Sequence, residues 1–145
     1  MGRLARGKGS TIVNGSLRQE RAAMEKDKAI ERLRSCMVME SVCSSVYHLL
    51  SLNFPGEKEL WNKLATDEES HAEMIAAVTD FRETDNIGLY PVPKDLTYVK
   101  KTVEVADEMR MLLVNDKLSL KDSLERLRGI HQLKNKSYLN NQLMY

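Results

Sequence analysis

The stretch Trp61-Asn-Lys-Leu64-Ala-Thr-Asp-Glu68-Glu-Ser-His71-Ala-Glu-Met-Ile75-Ala-Ala-Val78 decides the fold. Its apolar residues recur at alternating spacings of three and four, the period of a helix that turns one face to a core. The inward stripe reads Trp61, Leu64, Glu68, His71, Ile75, Val78. A carboxylate and an imidazole therefore take consecutive positions in an otherwise apolar stripe. Upstream, the same spacing gives Ile30, Leu33, Met37, Glu40, Ser44, Tyr47, again with an acid in the middle.

Helical periodicity continues from residue 20 to the C-terminus, and no alternating strand pattern competes with it. A first helix is expected over roughly 20–52, ending at the turn signal Asn53-Phe54-Pro55-Gly56. A second is expected over about 57–83. The irregular stretch from Glu83 to Lys94 follows, with Asn86, Gly88, Pro91 and Pro93. A third helix should start near Asp95, a natural N-cap, and end around Asn115-Asp116. The fourth should open at Ser119, three residues before Asp122, in the manner of a capping box. The connections thus run short, long, short. A long link can carry the chain along a bundle's whole length, so the expected fold is an all-α, ferritin-like four-helix bundle with a long crossover between helices 2 and 3.

Charge and composition narrow the partners. The net charge of +1 lacks the clustered excess of a dedicated nucleic-acid binder. The exception is local: Arg3, Arg6, Lys8, Arg18 and Arg21 stand against Glu20 alone, interspersed with glycines. Residues 1–24 are therefore expected as a flexible basic tail, a solvated or partner-contacting arm, with the bundle over 25–145. No apolar run approaches the roughly 20 residues that span a bilayer, and no secretory core follows the basic start, so a cytoplasmic protein is expected. Cys36 and Cys43 lie about 10 Å apart along one helix, too far to bridge, and are expected as buried thiols.

Ionisable groups in a core stripe are costly unless paired, protonated or bound to a metal. Glu68-x-x-His71 puts both side chains on one helical face, and Glu40 can supply a third ligand from a facing helix. Carboxylate oxygen with imidazole nitrogen suits iron, manganese or zinc. Glu-x-x-His alone is a weak signal, and a surface Glu or a satisfied core His explains it equally well. The shared register of two stripes strengthens it.

The segments Glu40-Ser-Val-Cys-Ser-Ser-Val-Tyr47 and Ala65-Thr-Asp-Glu68-Glu-Ser-His71-Ala72-Glu73, within Ala29–Val78, resemble the first half of rubrerythrin-like, ferritin-like proteins. The resemblance implies a carboxylate-bridged di-iron site, with Glu40, Glu68 and His71 as ligands of its first half. It implies non-haem iron, one or two ions, and the oxidation of ferrous iron or reduction of peroxide. It also implies a homodimer or larger oligomer; the charge of the basic tail separately offers a route to a protein partner.

The second half departs from that pattern. In the third helix Glu104 and Glu108 are candidate ligands, yet the apolar stripe Val99, Val103, Ala106, Leu113 leaves both to one side. In the fourth the stripe is Leu120, Leu124, Leu127, His131, Lys134, Tyr138, so His131-x-x-Lys134 stands where Glu and His would be expected. His131 remains a candidate ligand. A protonated lysine has no lone pair for a metal, but its charge can take a metal's place beside Glu40 or Glu68. Two functions follow: a metalloprotein with an iron site, or a bundle with a degenerate site that acts as a structural or protein-binding module.

Overall fold

The computed structural model describes residues 2–80, 93 and 95–142, with side chains over 15–138. The chain is an all-α four-helix bundle. Helix α1 spans Gly2–Asn53, α2 Lys58–Asp80, α3 Thr97–Val114 and α4 Leu120–Gln142, with a single 3-10 turn at Pro55–Glu57 between the first two.

The turns form where the local chemistry demands them. Pro55 opens the 3-10 turn, its fixed φ already suited to a helical start. Ahead of α3, Asp95 Oδ1 accepts from the Thr97 backbone N–H at 2.7 Å, so the expected cap acts from one residue before the N-cap position, which Leu96 takes. Ser119 Oγ accepts from the Asp122 N–H at 3.0 Å and caps α4. Between α3 and α4 the chain reverses through Asp116 at φ 52°, a left-handed position that aspartate tolerates better than branched residues.

The expected boundary near residue 24 is not marked by a break, because α1 runs through it from Gly2. Side chains from Gly15 to Glu25 are exposed. At 1.5 Å per residue, α1 is roughly 78 Å long against roughly 35 Å for α2, so its first half extends past the bundle.

Two apolar clusters give the helix directions. One gathers Leu50, Trp61, Ala65, Met109, Leu113, Leu118 and Leu127. The other gathers Ile30, Leu33, Met39, Ile75 and Val99, with Val78, Leu96 and Tyr138 against it. Consequently α1 and α3 run one way, and α2 and α4 the other. The Asn53 side-chain amide donates to the Leu113 carbonyl at 2.8 Å, which ties the ends of the parallel pair. α1 packs on both α2 and α3, and α3 packs on α4.

Most of the stretch Glu83–Lys94 and the course of the expected crossover lie outside the described residues. Its flanks do not: the end of α2 and the start of α3 share the Ile30 cluster. The end of α2 and the start of α3 therefore lie at the same end of the bundle.

The fourth helix is rotated from its expected phase. Leu120 and Leu124 are 38% and 50% exposed, while Ser123, Leu127, Ile130 and Ser137 are buried. α1 buries a face two stripes wide because it has two neighbours: Cys36, Met39, Cys43 and Val46 join the expected Ile30, Leu33, Glu40, Ser44 and Tyr47. Both cysteines are free thiols, and burial pushes each up to about 12, so they pack as small apolar groups.

Candidate functional site: a lysine between two buried carboxylates

Glu40 and Glu68 meet in the middle of the bundle because each interrupts an apolar stripe on a helix that packs against the other. Both are buried, at 1% and 7% exposure. From α4, Lys134 reaches between them. Its ammonium donates to Glu68 Oε2 and lies 2.6 Å from Glu40 Oε2. The second contact is ionic rather than an aligned hydrogen bond. The Tyr138 hydroxyl, one turn further along α4, donates to Glu40 Oε1 at 2.6 Å. Both oxygens of Glu40 are thus engaged from the same helix.

The three charges are mutually adjusted. Burial would raise the Glu40 carboxyl, but the hydrogen bond from Glu68, the Lys134 charge and the Tyr138 hydroxyl outweigh it and hold it below the ordinary range. Burial, then the Glu40 carboxylate, push Glu68 up to about 8 against the pull of Lys134. Burial would lower Lys134, but the two carboxyls hold it above its usual value. At neutral pH the set carries an ionised Glu40, a protonated Glu68 and a charged lysine. The trio is neutral overall, which is how charges survive in a dry core.

His71 stands at the rim. Its side chain is half exposed, and its Nδ1 lies 3.7 Å from Glu40 Oε2 and 3.9 Å from Glu68 Oε2, beyond hydrogen-bond range. Ligand atoms of Glu40, Glu68 and His71 nevertheless all fall within 4.8 Å of one another. His131 lies apart from this group. Its Nε2 is 2.9 Å from the Tyr47 hydroxyl, and burial with the Lys134 charge lowers its basicity. A cleft of about 410 Å³ leads from solvent to the trio, past His71, Met74, His131 and Asn135.

The structure brings together Glu40, Glu68 and His71 from the expected set, and leaves out Glu104 and Glu108. α3 turns Val99, Thr102, Ala106, Met109 and Leu113 inward, so both acids fall on the solvent side. Glu104 sits 3.8 Å from Lys101, and Glu108 sits 3.8 Å from Arg126. Substituting either acid with alanine should change stability by less than about 0.5 kcal/mol in urea unfolding, as for ordinary surface sites.

A second polar contact between α1 and α2 escaped the sequence reading. Glu69 Oε1 accepts from Ser44 Oγ at 3.1 Å and lies 2.6 Å from His48 Nε2. Ser44 and His48 are one helical turn apart, and that i, i+4 pairing was the available signal. Tyr138 stood in the expected stripe, but nothing in the spacing assigned it to Glu40. Tyr138→Phe should cost about 1.5–3 kcal/mol, the usual worth of a hydrogen bond to a charged group. Denaturant unfolding of the variant measures it, and a change below about 0.5 kcal/mol would detach Tyr138 from the trio.

A di-iron centre does not fit these residues. The donors of its second half are absent: Glu104 and Glu108 face solvent, His131 pairs with Tyr47, and Lys134 offers an ammonium with no lone pair. The Lys134 nitrogen also occupies the space between the two carboxylates where an ion would have to sit.

No protein-family model matches the chain, and neither the curated proteins nor the solved structures include a match.

Proposed function

We propose that this chain is a structural, partner-binding helical module whose core is closed by the Glu40–Lys134–Glu68 trio in place of a metal ion. The observation that carries the proposal is the Lys134 ammonium seated against both carboxylates. A buried charged lysine neutralises the ionised Glu40 beside a protonated Glu68, without redox chemistry or open coordination positions. The surface is suited to contacts. Leu52, Val114, Met111 and Leu124 are 72%, 62%, 55% and 50% exposed, and α1 projects Leu17 and Met24 beyond the bundle. Self-association and a protein partner on the α1 extension both belong to this proposal. Among the described residues no helix is long and apolar enough to cross a membrane. Free, buried thiols suit a reducing cytoplasm.

The second reading is a rubrerythrin-like metalloprotein with non-haem iron, oxidising ferrous iron or reducing peroxide. What favours it is the convergence of Glu40, Glu68 and His71 on one point. Under this reading the three residues would hold one ion, and Lys134 would have to withdraw to admit it.

Anaerobic loading with ferrous iron, and separately with zinc, followed by desalting and elemental analysis, separates the two. The wild-type chain is expected to retain far less than stoichiometric metal. Removing the resident charge with Lys134→Ala should create a weak site that Glu68→Ala abolishes. Stoichiometric metal in the wild type, lost in Glu68→Ala, would replace the first reading with the second.

A further inference from the structure

We propose that α1 pairs, in parallel and in register, with α1 of a second copy of this chain along a seam on its outer face. This names the partner of the partner-binding module and rests on that reading. Among its described side chains α1 exposes four large apolar residues, Leu17, Met24, Val38 and Leu52, each between 44% and 72% exposed. They stand one, two and two heptads apart. Seven residues are close to two helical turns, so all four fall on one line roughly 50 Å long. That line drifts slowly around a straight helix, and a left-handed supercoil of two copies absorbs the drift. The bundle lies on the other side of α1, where Ile30, Leu33, Met39 and Leu50 are buried.

The charges beside the seam select the occupant and its direction. Glu20 and Asp27 follow Leu17 and Met24 by three residues, and Arg21 and Lys28 follow them by four. All four are exposed. Positions three and four residues on lie on opposite sides of the line, so one edge is acidic and the other basic. In a parallel pair the two-fold axis runs along the helices, and the acidic edge of each copy meets the basic edge of the other. An antiparallel pair would set acid against acid and base against base. Exposed ion pairs contribute little, so these charges set the direction while the apolar residues set the strength. Glu31 interrupts the seam between Met24 and Val38, and in this register Arg34 of the second copy stands beside it. A charged layer of this kind costs stability and fixes the register.

The first half of α1 needs such a cover. Side chains from Gly15 to Glu25 are exposed, and the space beside Gly15 is open. An isolated helix is marginal in water, and glycine weakens it further. Pairing supplies the tertiary contact that holds it.

Light scattering coupled to size exclusion of the full chain tests the pairing. The wild type at high concentration is expected at twice the chain mass. Met24→Lys with Val38→Lys, both at exposed sites and checked for helical content by circular dichroism, should raise the dissociation constant at least about tenfold. Glu20→Lys with Asp27→Lys, and separately Arg21→Glu with Lys28→Glu, should each weaken the dimer. An equimolar mixture of those two chains should restore it. Leu17→Cys and Leu52→Cys, each oxidised alone, should yield a disulfide-linked dimer, because Cys36 and Cys43 are buried and do not compete. An antiparallel pair over the same length would hold like positions roughly 50 Å apart, leave both variants unlinked and overturn the direction. Unchanged affinity in both charge-reversed chains would overturn the seam. A monomeric wild type would overturn the pairing, and a monomer whose mobility shifts with a short DNA duplex would assign the basic edge to phosphate instead. Metal content of the same sample keeps the two readings apart. A metal-free monomer leaves the lysine-closed module standing, whereas stoichiometric metal removes that reading whatever the mass.

Discussion

Lys134→Met should destabilise the protein by about 3–5 kcal/mol, the cost of breaking a buried charge pair by removing one partner. Methionine preserves much of the side-chain length, so the loss reports the charge rather than a large void. Left behind are two carboxyls at 1% and 7% exposure with no cation between them. The ionised Glu40 must then take up a proton or water, and either disrupts the packing of α4 on the bundle. The effect should be reversed in large part by adding Glu40→Gln and Glu68→Gln, because neutral amides can hydrogen-bond to each other in the same space. Equilibrium unfolding in urea across these variants supplies the comparison. Equal stability of Lys134→Met and wild type would mean that the lysine spends its time in solvent.

Trp61→Ala should cost a similar amount, about 3–5 kcal/mol, by a different route. Trp61 is 3% exposed and stacks on Tyr47, with ring centroids 6.5 Å apart and planes 16° from parallel. It fills the end of the bundle where α2 begins, among Leu50, Ala65 and Leu127. Alanine there removes most of a large apolar surface and leaves a cavity that rigid neighbours refill only in part. Trp61→Phe should cost distinctly less. The indole Nε1 is buried without a hydrogen-bond partner, so phenylalanine removes an unsatisfied donor along with the volume. Thermal unfolding ranks the three proteins, and near-ultraviolet circular dichroism follows the Tyr47 environment. A phenylalanine variant as weak as the alanine one would show that Nε1 is satisfied in solution.

Much of this site was legible in the stripes of the sequence. Glu40, Glu68 and Lys134 each stood where an apolar residue was due, and the cost of burying charge required them to meet. A metal ion and a mutual pairing both met that cost, and the sequence left the two open. The phase of α4 was not legible. Leu120, Leu124 and Leu127 looked like a core stripe, yet Ser123 and Ser137 are the buried residues beside Leu127 and Ile130. Their hydroxyls explain the error: Ser123 donates to the Ser119 carbonyl at 2.8 Å, and Ser137 to the Leu133 carbonyl at 3.0 Å. A serine satisfied by its own helix is small and effectively non-polar in a close helix contact. Polarity scales place it outside. The phase of α3 was clearer, since Val99, Ala106 and Leu113 are all buried, and it alone sets Glu104 and Glu108 in solvent.

Helix direction was the least accessible feature. A long link after α2 permits either a run along the bundle or a diagonal across one end. The shared burial of Ile75 and Val99 fixes where the two flanking helix ends lie. The difference bears on chemistry as well as topology. With this order, α4 presents Lys134 and Tyr138 to Glu40, and Tyr47 takes His131.

Anomalous diffraction at the iron and zinc edges, from crystals grown after incubation with each metal, is the most direct test of what fills the space between Glu40 and Glu68. Lys134 density is expected to end between the two carboxyls, with no anomalous peak there. An anomalous peak coordinated by Glu40, Glu68 and His71, with Lys134 turned away, would contradict it.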